Sequence, residues 1–447
     1  MTRVGVPLDG LGRRPSDGRS PGAGAWARHR DVLHTAATLV ASTAVTSVLG
    51  LVFWAVAARL FTREAVGYGS AAVSAITLAG TIGMLGLGTV LIGELPRRHG
   101  SRGGLVMAAL VAAAAVSAVL GLGFAVLSPL LSGALGRLTG SVPAVALFVA
   151  GAALTGAALV FDQATIGLLR GGLQLWRNVA FSVLKLLALV VAPLLVNHRY
   201  GLAITAAWVA GTALSLVATT WLVRRTGRSL WHRPDWAVLR GLGGRTLEHS
   251  WLNLAFQLPR LLVPVLVTVL VSASANGAFY VVWMLAGVFY LVPTHLATAL
   301  FAATSADPPA MRDKVRLTLR VSWVVGLAGA VVLGVAAPAV LAVFGPEYAA
   351  EGTLPLRLLV LAYAPMVVKV HYVGVCRATD RIPRAALVLS ASAALEIAGT
   401  VAGADVAGLV GVCVALLVCY AVEAVPTAPL VWAATKSSLL NGGVSPV

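Results

Sequence analysis

The sequence predicts an all-α integral membrane protein with twelve transmembrane helices around a central cavity. Of its 447 residues, 59% are hydrophobic and 11% are charged, whereas soluble proteins carry roughly 25% charged residues. Apolar runs of about 20 residues, the length that a helix needs to cross a bilayer, recur along the chain. Basic residues concentrate in alternate loops between these runs. Together these observations exclude a soluble globular protein.

The apolar runs define two predicted halves of six spans each. The longest break, at residues 224–249, is a predicted cytoplasmic linker that separates the half at 35–223 from the half at 250–433. An even number of spans gives both halves the same orientation, an arrangement in which substrate lies between them. Residues 1–34 are predicted to form a disordered basic cytoplasmic tail, and residues 434–447 are predicted to form a second cytoplasmic tail. The spans are 35–58, 66–92, 103–127, 143–168, 179–196, 201–223, 250–271, 276–301, 319–344, 354–375, 384–403 and 407–433.

The distribution of basic residues sets the predicted orientation. With the N-terminus inside, the cytoplasmic segments hold 25 Lys and Arg residues and the outer segments hold 5. Positive charge favours the cytoplasmic side of a membrane, so both termini are predicted to be cytoplasmic. The net charge of +17 has the same origin, and we expect no nucleic-acid partner.

The two halves share a faint internal repeat. The stretch "AVGYGSAAVSAITLAG" begins at Ala65, and the stretch "ANGAFYVVWMLAG" begins at Ala275. Both begin A-x-G, and both open the second helix of a predicted half. Parallel repeats of this kind relate the halves of many transporters.

Asp162 and Lys185 interrupt adjacent apolar runs. Asp162 precedes Arg170 by eight residues, and Lys185 follows Arg177 by eight. At about 1.5 Å per helical residue, both lie about 12 Å from the inner face. Intramembrane charges usually pair, so the equal depth predicts a salt bridge between the two residues. This pair either faces substrate or only joins the two helices.

Four further charged residues lie within predicted spans. Arg260 lies near the midplane of the seventh span, Lys369 lies in the tenth, and both are candidates to line a substrate cavity. Arg260 either binds an anionic substrate or instead snorkels inward or satisfies carbonyls freed by Pro259 and Pro264. Glu396 and Glu423, mid-span in the last two helices, are candidates for ion coupling or for packing.

The chain shows no pattern for a metal or a cofactor. Cys376, Cys413 and Cys419 lie in or beside apolar runs, without a CxxC or Cys/His cluster. We therefore expect no zinc site, no structural disulfide and no cofactor. The predicted outer loops also lack an Asp-x-Asp pair, which argues against a membrane glycosyltransferase and predicts that the protein is not an enzyme.

The segment Ala58–Arg98 carries a more specific resemblance. It contains "ARLF", a short loop, "VGYGSA", a Gly-rich span with "GLGTVL", and then "LPRR". In the second half, "VFGPEYAAEGTLPLRLLVLAYAP" and "VCRATDRIPRA" continue the pattern. This order resembles the polysaccharide-transport (oligosaccharide flippase, Wzx-like) branch of the multidrug/oligosaccharidyl-lipid/polysaccharide exporter superfamily, over about residues 35–433.

The resemblance implies a flippase in the bacterial plasma membrane. Such proteins carry polyprenyl-diphosphate-linked oligosaccharides to the outer leaflet through a cationic cavity, by alternating access. It implies a lipid-linked glycan and membrane lipids as partners, with a polysaccharide polymerase and glycosyltransferases as further candidates. The family's cavity cation on the seventh span falls on Arg260. The first span lacks the charge cluster of the lipid II flippase branch. This favours a flippase for capsule, teichoic or exopolysaccharide synthesis over a lipid II flippase.

Two other classes of membrane transporter fit the same pattern of apolar spans. A cation-coupled multidrug exporter has the same fold, but it favours an anionic cavity. A major-facilitator transporter would explain "GELPRRHGSRGG", which resembles that superfamily's loop motif. The acidic position of that motif is occupied by Arg97, which weakens the match.

Overall fold

The computed structural model describes residues 45–84, 86–95, 102–168, 170–195, 201–225, 232–241, 247–306 and 311–436. Within these ranges the regular structure is entirely helical. The predicted tail at 1–34, most of the tail at 434–447 and parts of the 224–249 loop lie outside the described residues.

We call helices α1–α8 the first half. They are α1 (Val45–Leu60), α2 (Arg63–Gly83), α3 (Leu87–Glu94), α4 (Arg102–Leu131), α5 (Gly133–Leu138), α6 (Val142–Gly167), α7 (Gly171–Leu195) and α8 (Leu202–Arg225). A short helix, α9 (Trp236–Gly241), lies in the segment between the halves.

We call helices α10–α15 the second half. They are α10 (Leu247–Leu270), α11 (Ala273–Ala306), α12 (Met311–Ala342), α13 (Pro346–Leu361), α14 (Tyr363–Ala378) and α15 (Ile382–Lys436).

Many of these helices are suited to a membrane. Within the described ranges, nine helices are long and apolar enough to cross it, and the pair α13 and α14, bent by 45°, makes a tenth. The described part of the first predicted span, α1, is shorter than a full crossing. The chain is therefore a multi-pass membrane protein, while the number twelve and the position of the termini stay predictions.

Helix α15 is a hairpin of two arms rather than one rod. Its 55 residues would extend about 80 Å at 1.5 Å per residue, far beyond a bilayer. Ala407 and Gly408 have non-helical dihedral angles, and Gly408 has a positive φ of 54°. The arms pack tightly, because a Cβ on Gly403 would overlap the Gly411 carbonyl. The break coincides with the predicted boundary between the last two spans.

The outer surface of the helices suits contact with lipid. Large apolar side chains of α12 are exposed, including Val324, Leu327 and Val335. At the ends of α8 and α15, Arg225 and Lys436 each lie 3.7 Å from the centroid of a Trp ring one turn away. Trp and basic residues favour the membrane–water interface, so these pairs are suited to anchor the helix ends there.

The two halves cross where α2 and α11 begin. A Cβ on Gly67 would overlap the Ala273 carbonyl, and a Cβ on Gly277 would overlap the Arg63 carbonyl. Asn276 Nδ2 donates across this crossing to the Gly67 carbonyl at 2.9 Å. The A-x-G repeat seen in the sequence therefore forms a close contact between the halves. Small residues allow helices to approach this closely in membranes.

Candidate substrate cavity

Three adjacent cavities lie beyond this crossing, and Arg260 of α10 lines all of them. One, of about 430 Å³, lies between α2 and α6 of the first half and α10, α11, α14 and α15 of the second. A second, of about 450 Å³, lies between α1, α2, α7 and α8 on one side and α10 and α11 on the other. A third, of about 90 Å³, lies within the second half.

The backbone at Arg260 is held by a hydrogen bond from a neighbouring helix. Because Pro264 has no N–H, the carbonyl of Arg260 lacks its usual helical donor. Trp283 Nε1 of α11 donates to that carbonyl at 3.1 Å. The alternative role for Arg260, satisfying a carbonyl freed by this proline, is therefore taken by Trp283 instead.

The Arg260 guanidinium is exposed to the cavities. Within the described part of the chain it has neither an ion pair nor a hydrogen-bond acceptor from the protein. A guanidinium presents five N–H donors in a planar fork that matches phosphate oxygens. Its position is thus open to an anionic ligand.

Asp162 pairs with Arg177, and the predicted bridge to Lys185 is wrong. Arg177 Nε and Nη2 each donate to one carboxylate oxygen of Asp162 at 2.6 Å, and all these groups are buried. Arg177 also donates to Asn178 Oδ1 at 2.5 Å. This bidentate pair joins α6 to α7 and does not line any of the three cavities.

The depth estimate failed because α7 begins earlier than the apolar run suggested. The helix starts at Gly171, whereas the predicted span started at residue 179. Arg177 therefore lies inside the helix, about two turns from its start. Lys185 lies about 12 Å further along the same helix than Arg177. The connection between α6 and α7 is also tight, with Arg170 N donating to the Thr165 carbonyl at 2.8 Å.

Lys185 lies instead among aromatic rings. Its Nζ is 4.3 Å from the ring centroid of Trp208, 4.5 Å from that of Phe181 and 5.0 Å from that of Phe53. Only 4% of the residue is exposed, and it lines the 450 Å³ cavity. Aromatic faces at this distance attract an ammonium group.

Lys369 forms a triad with the two candidate coupling carboxylates. Its Nζ lies 2.5 Å from Glu396 Oε1 and 2.7 Å from Glu423 Oε2. Glu396 and Glu423 lie on opposite arms of α15, and all three residues are buried. Lys369 and Glu396 also line the 90 Å³ cavity beside Arg260. With both carboxylates ionised, the triad carries a net charge of −1, so Lys369 is neutralised inside the protein.

Several cavity residues were absent from the sequence-based candidates. Asn253 and Gln257 lie on the same face of α10 as Arg260, and Arg377 Nη2 donates to Asn253 Oδ1 at 2.9 Å. The spacing of 253, 257 and 260 was a signal for one polar helix face. The aromatic residues of the 450 Å³ cavity gave no such signal, because they come from three different helices.

The described residues contain no cluster of His, Cys, Asp or Glu suited to hold a metal ion. The three cysteines are free and buried. Cys376 and Cys413 belong to clusters of buried hydrophobic residues, and Cys419 Sγ donates to the Leu395 carbonyl at 3.4 Å.

Comparison with protein families adds to this geometry. The model of a family described as "Polysaccharide biosynthesis protein" matches residues 32–301, which is more than half of the chain. The chain belongs to this family. No curated protein is significantly similar to this family member.

Solved structures show which fold this family member has. An inward-facing multidrug resistance MATE family transporter of the MOP superfamily aligns with TM-score 0.62 and 15% identity, covering 88% of this chain and 96% of that one. The lipid II flippase MurJ, in an inward closed conformation, aligns with TM-score 0.58 and 13% identity, covering 90% of each chain. Both are membrane transporters rather than enzymes. The polysaccharide biosynthesis family member therefore has the fold of these two structures.

Proposed function

We propose that this protein is a flippase that moves a polyprenyl-diphosphate-linked oligosaccharide from the inner to the outer leaflet of the bacterial plasma membrane. Family membership and the shared fold with a lipid II flippase support a lipid-linked substrate. In this role it contributes to cell-surface polysaccharide synthesis alongside glycosyltransferases and a polymerase. The polyprenyl tail would stay in lipid while the head group occupies the cavity.

The observation that carries the proposal is the free guanidinium of Arg260. It lies where all three cavities meet and has no protein partner among the described residues. A diphosphate is the anionic group that every substrate of this class shares. Arg can bind phosphate through two parallel hydrogen bonds, which are stronger in a cavity of low dielectric.

Alternating access fits the way the halves meet. The α2–α11 crossing closes one end of the space between the halves, which is the outer end in the predicted orientation. The 430 Å³ cavity lies between the halves on the other side of Arg260 and includes Asn253 and Arg377. Substrate would enter past Arg377, bind Arg260 and leave after the crossing opens.

The proposal is tested by complementation of a bacterial host that lacks its own flippase. Arg260→Ala should abolish glycan export, and Arg260→Lys should retain part of it because an ammonium lacks the planar fork. Arg357→Ala, an exposed Arg outside the three cavities, is the matched control and should export normally. Membrane abundance of each variant is measured in parallel. Normal export by an abundant Arg260→Ala variant would refute the assignment.

Glu396 and Glu423 remain the candidates for coupling to a proton or sodium gradient. Glu396 lines the 90 Å³ cavity beside Arg260, and both carboxylates are buried and pair with Lys369. In proteoliposomes, collapse of the gradient should slow flipping by the wild type and leave Glu423→Gln unaffected. A wild-type flipping rate that is the same under every imposed gradient would contradict this part of the proposal.

A cation-coupled multidrug exporter is the second candidate, because the MATE transporters share this fold. Cationic drugs would have to use the carboxylates of the triad, both of which already pair with Lys369. Resistance of a drug-sensitive host, measured with and without expression of the protein, separates the two candidates. Increased resistance without glycan export would favour the exporter.

A further inference from the structure

The ammonium of Lys185 has hydrogen-bond donors that the protein does not satisfy. Within the described ranges, no carboxylate or carbonyl oxygen accepts from its Nζ, and its contacts are the rings of Phe53, Phe181 and Trp208. Three N–H donors without an acceptor are costly inside a membrane protein. A Met side chain would fill the same space without that cost. The position therefore indicates a role for the charge itself.

The cavity beside Lys185 has the lining of a sugar site. Trp54, Tyr280 and Trp283 contribute aromatic surface, and Gln257 and Thr77 contribute hydrogen-bonding groups. Sites with aromatic walls and a few placed polar groups suit ligands that have both apolar faces and hydroxyls. A sugar ring has that character, whereas a diphosphate has no apolar face to cover the rings.

Lys185 and Arg260 offer two separate cations to one ligand. Lys185 belongs to α7 in the first half, Arg260 belongs to α10 in the second, and both line the 450 Å³ cavity. Arg260 also lines the other two cavities. This central position suits a group that holds the diphosphate, which all substrates of this class share. Of these three cavities, Lys185 lines only the 450 Å³ cavity, where the glycan would lie.

We propose that Lys185 binds a carboxylate on the glycan, so that the substrate is a lipid-linked oligosaccharide containing an acidic sugar. This inference rests on the proposed flippase function and specifies its substrate class. The sugar ring packs against the aromatic wall, its carboxylate accepts from the Lys185 ammonium, and the diphosphate is held by Arg260. The charged ligand then contacts both halves at once.

The test compares two synthetic probes in proteoliposomes of the full-length protein. Both are the same polyprenyl-diphosphate trisaccharide, except that one sugar is a hexuronic acid in the first probe and the parent hexose in the second. The wild type should flip the acidic probe about tenfold faster or more, the factor that one charge-assisted hydrogen bond supplies. Lys185→Met should flip both probes at similar rates, and Lys185→Arg should keep the preference for the acidic probe.

Controls separate this inference from the proposed function. Arg260→Ala should flip neither probe, because both carry the diphosphate. Equal rates for both probes in the wild type, or a preference that persists in Lys185→Met, would overturn the acidic-sugar assignment and leave the flippase intact. Transport of neither probe by the wild type would count against both. The membrane abundance of Lys185→Met, measured in parallel, reports whether that variant is folded.

Discussion

Gly67 on α2 and Gly277 on α11 occupy reciprocal positions at the crossing between the two halves. Gly67 lies against the carbonyl of residue 273, four positions before Gly277, and Gly277 lies against the carbonyl of residue 63, four positions before Gly67. The crossing therefore has a local two-fold relation, as expected where two parallel repeats meet. Both obstacles are backbone atoms, which cannot swing aside as a side chain can.

Gly67→Ala should separate the halves at this crossing. The added methyl group would overlap the backbone of α11, and overpacking of this kind typically costs about 1–3 kcal/mol. We expect a lower thermal unfolding temperature of the detergent-purified protein. Gly123→Ala is the matched control, since a Cβ there meets no atom within 4 Å. An unchanged unfolding temperature for Gly67→Ala would contradict the close approach.

Asp162 should couple energetically to Arg177 and not to Lys185. Removing one partner of a buried pair leaves an uncompensated charge, which costs about 3–5 kcal/mol. Asp162→Asn and Arg177→Met should each lower stability strongly, and the double variant should lose less than the sum of the two. The same double-mutant cycle with Lys185→Met should be additive. Coupling to Lys185 with additivity at Arg177 would support the pairing that the sequence suggested.

In the triad, loss of Lys369 should be far more harmful than loss of Glu423. Lys369→Met leaves two buried carboxylates without a counter-charge, whereas Glu423→Gln leaves a balanced pair of Lys369 and Glu396. We expect Lys369→Met to reduce membrane abundance severely and Glu423→Gln to change it little. The triple variant Lys369→Met, Glu396→Gln, Glu423→Gln should recover part of the abundance. Equal losses in Lys369→Met and Glu423→Gln would show that charge balance does not govern this site.

Arg63 and Glu351 should hold the crossing closed with little effect on stability. Arg63 Nη1 lies 2.5 Å from Glu351 Oε1, and Arg63 Nε donates to Ser274 Oγ at 2.8 Å. Both side chains are partly exposed, so the pair contributes about 0–1 kcal/mol to stability. Glu351→Gln should instead make the closed state less populated.

This shift is measured by labelling a cysteine placed in the cavity. Thr77 lines the 450 Å³ cavity, so Thr77→Cys places a thiol there. The three native cysteines are buried and should not react with the reagent. Addition of Glu351→Gln should speed its reaction with a membrane-impermeant thiol reagent applied from outside the cell. Glu347→Gln, a neighbouring exposed carboxylate on α13, is the control and should leave the rate unchanged. Equal rates in all backgrounds would show that the ion pair does not contribute to closure.

Much of the fold follows from hydropathy. The break in α15 lies where the sequence separates two spans, and the bend between α13 and α14 falls within one predicted span. The A-x-G repeat marked both helices that form the crossing. Hydropathy predicted the start of α7 poorly, because "GGLQLWRN" is too polar to count as membrane-spanning although it is helical.

The sequence by itself determined the class of the protein, the residues that lipid rejects and the family to which it belongs. These depend on residue type and order, which are the same in any conformation. Only the tertiary structure decided the partners of those residues. Asp162 pairs with Arg177, Lys369 with two carboxylates and Lys185 with aromatic rings. The guanidinium of Arg260 has no partner among the described residues. Partners depend on where each helix begins and how it is rotated, and about 100° of rotation per residue changes the neighbour that a side chain meets.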